Sequence, residues 1–179
     1  MRLLVFWVLL FSLACWALAG PCWAAEPADA ATLRLVPFPK EVRLQPGTFE
    51  WKRPLVLEVP ADRAATFAYW LNDDVTRAGL PAVQVSHRQG PEHVFRLVPL
   101  PAGPERPVGP APQSQWRAGA GPEDYVLTVG GDAITGQARE ASGLFHALTT
   151  LRQLIRANRR GTAVPCLAIR DWPAMRYRC

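Results

Sequence analysis

The sequence predicts an α/β (α+β) two-layer sandwich, a mixed, mostly antiparallel sheet carrying two helices on one face. Three observations point there. Two stretches, Ala61 to Ala78 and Ala141 to Ile155, repeat apolar residues at spacings of three and four, the signature of helices with one apolar stripe each. Around them lie about six short runs of strand length, rich in valine, leucine and isoleucine. Pro46-Gly47, Arg53-Pro54 and Gly130-Gly131 punctuate those runs as turns. A helix apolar on one side only must bury that side, and the sheet supplies the surface.

The chain opens on a positive residue, Arg2, followed by an almost continuous apolar run from Leu3 to Leu18. Small residues at Cys22 and Ala24 then complete the pattern of a secretory signal peptide cleaved after Ala24. A cut after Ala19, a retained anchor and a lipoprotein at Cys15 are the alternatives; the run is short for a membrane span of about 20 residues. No stable membrane span is expected after cleavage, and the product is expected to be secreted or periplasmic. Residues 25–32 read as a linker and 33–171 as one domain.

Within that domain Leu33 to Val42 holds Pro37 and Pro39, which forbid a helix or a central strand and leave an extended edge segment. Thr48 to Trp51 and Leu55 to Val59 follow as strands. In the first helix Ala64, Phe67, Ala68, Leu71, Val75 and Ala78 form the buried stripe, Asp73, Asp74 and Arg77 lie off it, and Gly79 stops it. Ala82 to Ser86 and His93 to Val98 are further strands. Residues 99–122 hold seven of the 18 prolines and few aliphatic side chains, the composition of a long mobile surface loop or of one that packs only with a partner, with a domain boundary as the alternative. Tyr125 to Val129 and Asp132 to Thr135 read as a hairpin. The second helix then buries Ala141, Leu144, Phe145, Leu148, Leu151, Leu154 and Ile155, with Arg152, Arg156 and Arg159 complementing its C-terminal dipole. Gly143 inside it costs about 1 kcal/mol against alanine and implies a close backbone approach. Gly161 is the stop, and Cys166 to Arg170 is the last strand.

The 179 residues carry a net charge of +5, almost all of it from scattered arginines, since Lys40 and Lys52 are the only lysines. Nothing resembles a dense basic face interleaved with aromatics, so no nucleic-acid partner is expected. Cys15 and Cys22 leave with the signal; Cys166 and Cys179 remain and could pair in an oxidising compartment. His87, His93 and His146 share no ligand spacing, and no metal or cofactor is expected.

Chemistry-bearing residues are sparse. Asp73-Asp74 and Glu123-Asp124 are the only adjacent carboxylate pairs, and both read as solvated surface rather than a general acid and its partner. His146, beside the apolar stripe, reads as a packing or surface histidine. Gly119-Ala120-Gly121 lies in the proline-rich loop and is no phosphate cradle. No catalytic residue is assigned.

Four stretches nonetheless resemble the N-terminal, non-catalytic domain of family 20 glycoside hydrolases, the β-N-acetylhexosaminidases. Leu35-Val36-Pro37-Phe38-Pro39 is similar to its "I-P-x-P" opening, and Glu123 to Val129 to its "E-x-Y-x-L" strand. Ala141 to Leu154 is similar to its "G-x-F-x-A-x-x-T-L-x-Q-L" helix, the most specific of the four. Asp171-Trp172-Pro173 through Tyr177-Arg178 resembles the "D-x-P-x-x-x-Y-R-G" lead-in to a catalytic TIM barrel. The resemblance implies that 172–179 is a truncated lead-in to a missing barrel of about 250 residues. That barrel would cleave terminal N-acetylhexosamine by substrate assistance, with an Asp-Glu pair that this chain does not reach. It also implies that Arg178 binds sugar hydroxyls, a role suited to a planar bidentate donor; Cys179 stands where the pattern has glycine. A glycan is then met only through the barrel, and the fragment alone is inert. Two other readings stay open: a free-standing secreted carbohydrate- or protein-binding module, and the same module from an α-glucuronidase or O-GlcNAc hydrolase. The first would need sugar-stacking aromatics in line, and Trp51, Trp70, Trp116 and Trp172 show no such alignment.

Overall fold

The computed structural model describes residues 29–87, 94–99 and 121–172. The N-terminal 28 residues, Cys15 and Cys22 included, most of the proline-rich loop with Trp116, His93, and residues 173–179 with Arg178 and Cys179 lie outside them.

Among the described residues the chain forms seven strands and two α-helices: β1 (Glu41–Glu50), β2 (Leu55–Val59), α1 (Ala64–Arg77), β3 (Val83–His87), β4 (Val94–Pro99), β5 (Tyr125–Val129), β6 (Ile134–Ala138), α2 (Ala141–Gln153) and β7 (Ala163–Asp171). They make one sheet in the order β1-β7-β5-β6-β4-β2-β3. Every pairing is antiparallel except β2 with β3, which are parallel because α1 carries the chain back between them. This is the mixed two-layer sandwich that the sequence predicts.

Both helices share one core with the sheet. Phe67, Leu71 and Val75 of α1 and Leu144, Leu148 and Leu151 of α2 pack with Leu57, Phe95, Leu97, Leu127, Ile134 and Ile169. Gly79 adopts φ +67 and ends the first helix as expected. Side-chain amides tie the helices to neighbouring backbone. Asn72 of α1 accepts from the Val83 N–H at 2.9 Å and donates to the Val83 carbonyl at 3.1 Å. The Tyr125 hydroxyl lies 2.6 Å from that of Thr150, joining sheet to α2 inside the core.

Several boundaries differ from the sequence expectation, each for a physical reason. Leu33 to Lys40 forms no strand; after a single 3-10 turn (Ala30–Thr32) it runs past the end of α2. There Asn158 binds both backbone groups of Arg34, and Gln153 both of Val36, in place of a partner strand. The strand at this edge of the sheet is β1, and Pro46-Gly47 lies within it rather than ending a turn. Leu44 pairs with Leu167 and Thr48 with Pro165, so Gln45, Pro46 and Gly47 oppose the single residue Cys166 as a bulge. Gly47, at φ +96, supplies a conformation that side-chain-bearing residues avoid. The turn before β6 includes Asp132 and Ala133, closed by the Gly130 N–H to Ala133 carbonyl bond at 2.9 Å. Strand β7 starts three residues earlier than expected, because Pro165, which has no N–H to donate, pairs with Thr48 immediately beside the bulge, where the regular ladder is already interrupted. Finally, α2 widens after Gln153 into a π turn, Leu154–Asn158, before Gly161 at φ +61 reverses the chain.

Candidate functional site

The main polar constellation lies between the two helices and corrects the sequence reading. Asp74 is not on a solvated face: it is only 1% exposed. The Nε atoms of Arg152 and Arg156 lie 2.5 Å from its Oδ2 and Oδ1, so each carboxylate oxygen takes one guanidinium. The two arginines, one turn apart along α2, therefore reach across to α1 as well as complementing their own helix end. Asp74 sits three residues after Leu71 and seven after Phe67, on the buried stripe itself; position rather than residue type was the available signal. Its neighbour Asp73 does face solvent and pairs with Arg77 at 3.0 Å, one turn on, a contact worth a few tenths of a kcal/mol.

An aromatic strip borders this clamp. The Trp70 and Phe145 rings meet edge to face at 5.0 Å between centroids, and the Arg152 guanidinium lies 5.5 Å from the Trp70 ring centre. Phe145 is 37% exposed, and Tyr69, next to Trp70 in the sequence of α1, is 74% exposed. Phe145, expected in the buried stripe, thus stands at its margin. The His146 ring lies 5.7 Å from that of Phe145, and its Nε2 is 3.8 Å from Glu123 Oε2. A second exposed apolar pair, Val36 and Phe38, lies on the segment clamped by Gln153.

The remaining candidates stay apart. Asp124 Oδ2 accepts the Gly121 N–H at 2.9 Å and closes a turn, while Glu123 faces His146. Trp51 is fully buried, its Nε1 donating to the Pro81 carbonyl at 3.0 Å. Trp172 is covered by Lys40 and Arg170, at 4.7 and 5.4 Å from its ring centre. Among the described residues, no three or more His, Cys, Asp and Glu side chains gather to hold a metal ion. Arg178, the candidate for sugar hydroxyls, lies outside those residues.

Cys166 is free and buried opposite the β1 bulge. Burial, reinforced by the charge of Asp132, pushes its thiol pKa up. Less thiolate is then present at any given pH, so iodoacetamide at pH 8 should alkylate Cys166 at least about tenfold more slowly in the folded chain than in urea. Equal rates, read by mass spectrometry, would show the thiol to be open to solvent. Glu50 moves the other way: hydrogen bonds from Lys52 and Thr48 lower its pKa at the exposed end of β1.

The fold and its polar groups thus define a two-layer α+β module built around an inter-helix ion cluster, with an aromatic strip on its helix layer. The model of glycosyl hydrolase family 20, domain 2, matches residues 32–172, and the chain belongs to that family. It is similar to a β-hexosaminidase of Vibrio furnissii, 27% identical over 150 residues that cover 84% of this chain and 21% of that protein. Among solved structures it is similar to a mutant Streptomyces plicatus β-hexosaminidase in complex with its product GlcNAc, at 26% identity and a TM-score of 0.54, covering 86% of this chain and 28% of that one. A Bacteroides fragilis β-N-acetylhexosaminidase matches at 17% identity and a TM-score of 0.50, covering 80% and 25%. The chain therefore spans between about a fifth and three tenths of the length of these relatives.

Proposed function

We propose that this chain is the accessory N-terminal module of an exported β-N-acetylhexosaminidase-like glycosidase, and that it turns over no substrate by itself. The observation that carries the reading is the family match, which spans the described domain from end to end. The Trp70–Phe145 pair, with Phe145 exposed at the margin of the helix layer, supports it, because apolar side chains grouped on a surface suit a docking face. The catalytic barrel that the resemblance to family 20 glycoside hydrolases implies is the proposed partner for that face. Export rests on residues 1–24; no helix among the described residues is long and apolar enough to cross a membrane. Arg178 is the residue we assign to sugar hydroxyls, and it would act only with a barrel around it.

The test is hydrolysis of a chromogenic N-acetyl-β-glucosaminide by the purified chain, with folding checked by circular dichroism. The folded chain should release no chromophore above the uncatalysed rate. Turnover that survives repurification would overturn the accessory reading and place an acid and its partner within this domain.

A further inference from the structure

Arginines elsewhere in the domain are mostly matched to acids. Arg63, Arg77, Arg96, Arg152, Arg156 and Arg170 each lie within ion-pair distance of a carboxylate. The end of the domain where α2 unwinds departs from that pattern. A cleft of about 890 Å³ opens there between the β1 bulge and the chain that follows the π turn. Arg34, Arg159 and Arg160 line it together, with no aspartate or glutamate among the described lining residues. None of the three guanidinium groups forms an ion pair with a described carboxylate. The acids of the adjoining segments are engaged: Asp29 Oδ1 accepts the Ala31 N–H at 3.0 Å, and Glu50 takes Lys52, Thr48 and Thr162.

We propose that this cleft binds an oxyanion, a carboxylate, sulfate or phosphate, carried on a body with an apolar face. Three guanidinium groups around one cleft, unopposed by any described acid, create a positive potential that concentrates anions. Arg159 is fixed before any anion arrives, since its Nη1 donates to the Gly161 carbonyl at 2.6 Å, while its Nε is buried without a partner. Fixing a planar donor in advance reduces the rotamer entropy lost on binding, and guanidinium suits the paired oxygens of such groups. The backbone of Arg34 is fixed too: the Asn158 Oδ1 accepts its N–H and the Asn158 Nδ2 donates to its carbonyl. Leu33, Leu44 and Pro165 supply apolar lining between the arginines, against which the C–H face of a sugar ring can lie. The cleft is wide enough for more than a bare ion. An acidic saccharide is therefore the class of ligand it fits, with a free inorganic anion as the other source of the same chemistry. This site is independent of the proposed docking face and of any hydrolytic activity.

The experiment titrates the isotopically labelled full chain by NMR at low salt with three probes: a sulfated uronate-containing disaccharide, inorganic phosphate and uncharged N-acetylglucosamine. The expected result is saturating shifts at Arg34, Thr48 and Arg160 with the disaccharide. Its affinity should fall about tenfold in Arg34→Ala and in Arg160→Ala, loss of one charge-assisted contact, with thermal unfolding unchanged. Both side chains are exposed, so these variants should fold. Phosphate binding as tightly as the disaccharide would support the anion site and identify the free ion as its ligand. Equal response to N-acetylglucosamine, no saturating shift with either anion, or affinity unchanged in both variants would each overturn the proposal.

Discussion

Asp74→Ala should lower the stability of the domain by about 2–4 kcal/mol, a fall in melting temperature on the order of 4–16 °C. The size follows from what the substitution leaves behind. Arg152, whose side chain is 19% exposed, loses the carboxylate that compensates its burial, whereas Arg156, at 54%, can turn back to water. One guanidinium is stranded and one is released, so the loss sits toward the lower end of the cost of breaking a buried pair. Asp74→Asn should lose somewhat less, because one oxygen still accepts a hydrogen bond and the shape is kept. The combined change Asp74→Leu with Arg152→Met should come within about 1 kcal/mol of the parent, since it removes the desolvated charges together with their attraction. Urea unfolding followed by circular dichroism measures all three. A loss under about 0.5 kcal/mol in Asp74→Ala would mean that the carboxylate is solvated and that the helices are joined by apolar contact alone.

Asp74 also marks where sequence reasoning meets its limit. The helices were legible because a 3.6-residue period in Phe67, Leu71 and Val75, and in Leu144, Leu148 and Leu151, has one physical meaning. Asp74 occupies the same period, but residue type spoke for solvent, and its partners lie on a helix some 80 positions later. The clamps of Gln153 on Val36 and Asn158 on Arg34 were hidden for the same reason, since they span 117 and 124 positions. Strand β7 is longer than the sequence indicates because Pro165 pairs beside a bulge, where a missing N–H is tolerated, and that bulge belongs to β1. The family was legible in local motifs. The aromatic pair was not, because Trp70 and Phe145 come from two helices whose facing sides only the fold defines.

Gly143→Ala separates local propensity from packing, because the two predict opposite signs. Alanine should stabilise a helix interior by about 1 kcal/mol over glycine. The fold reverses this: a Cβ on Gly143 would stand 2.5 Å from the Asp124 carbonyl oxygen and 2.9 Å from the Ala138 Cβ. Neither neighbour can yield cheaply. The Asp124 carbonyl is backbone at the start of β5, and Ala138 ends β6. Moving the helix instead would strain the Gly143 N–H to Pro122 carbonyl bond at 3.1 Å and the Ser142 hydroxyl's bond to the same carbonyl at 2.6 Å. Overpacking of about 1–3 kcal/mol and a weakened hydrogen bond of about 1 kcal/mol outweigh the propensity gain, leaving a net loss of about 2 kcal/mol. Gly131→Ala is the control. A Cβ there meets nothing within 4 Å and φ is ordinary, so stability should change by less than about 0.5 kcal/mol. Gly143→Val should cost more than Gly143→Ala, since the two added methyl groups project into the same contact. If Gly143→Ala instead unfolded at higher denaturant than the parent, α2 would stand further from β5 and β6 than this packing places it, and the glycine would have no steric reason to be there.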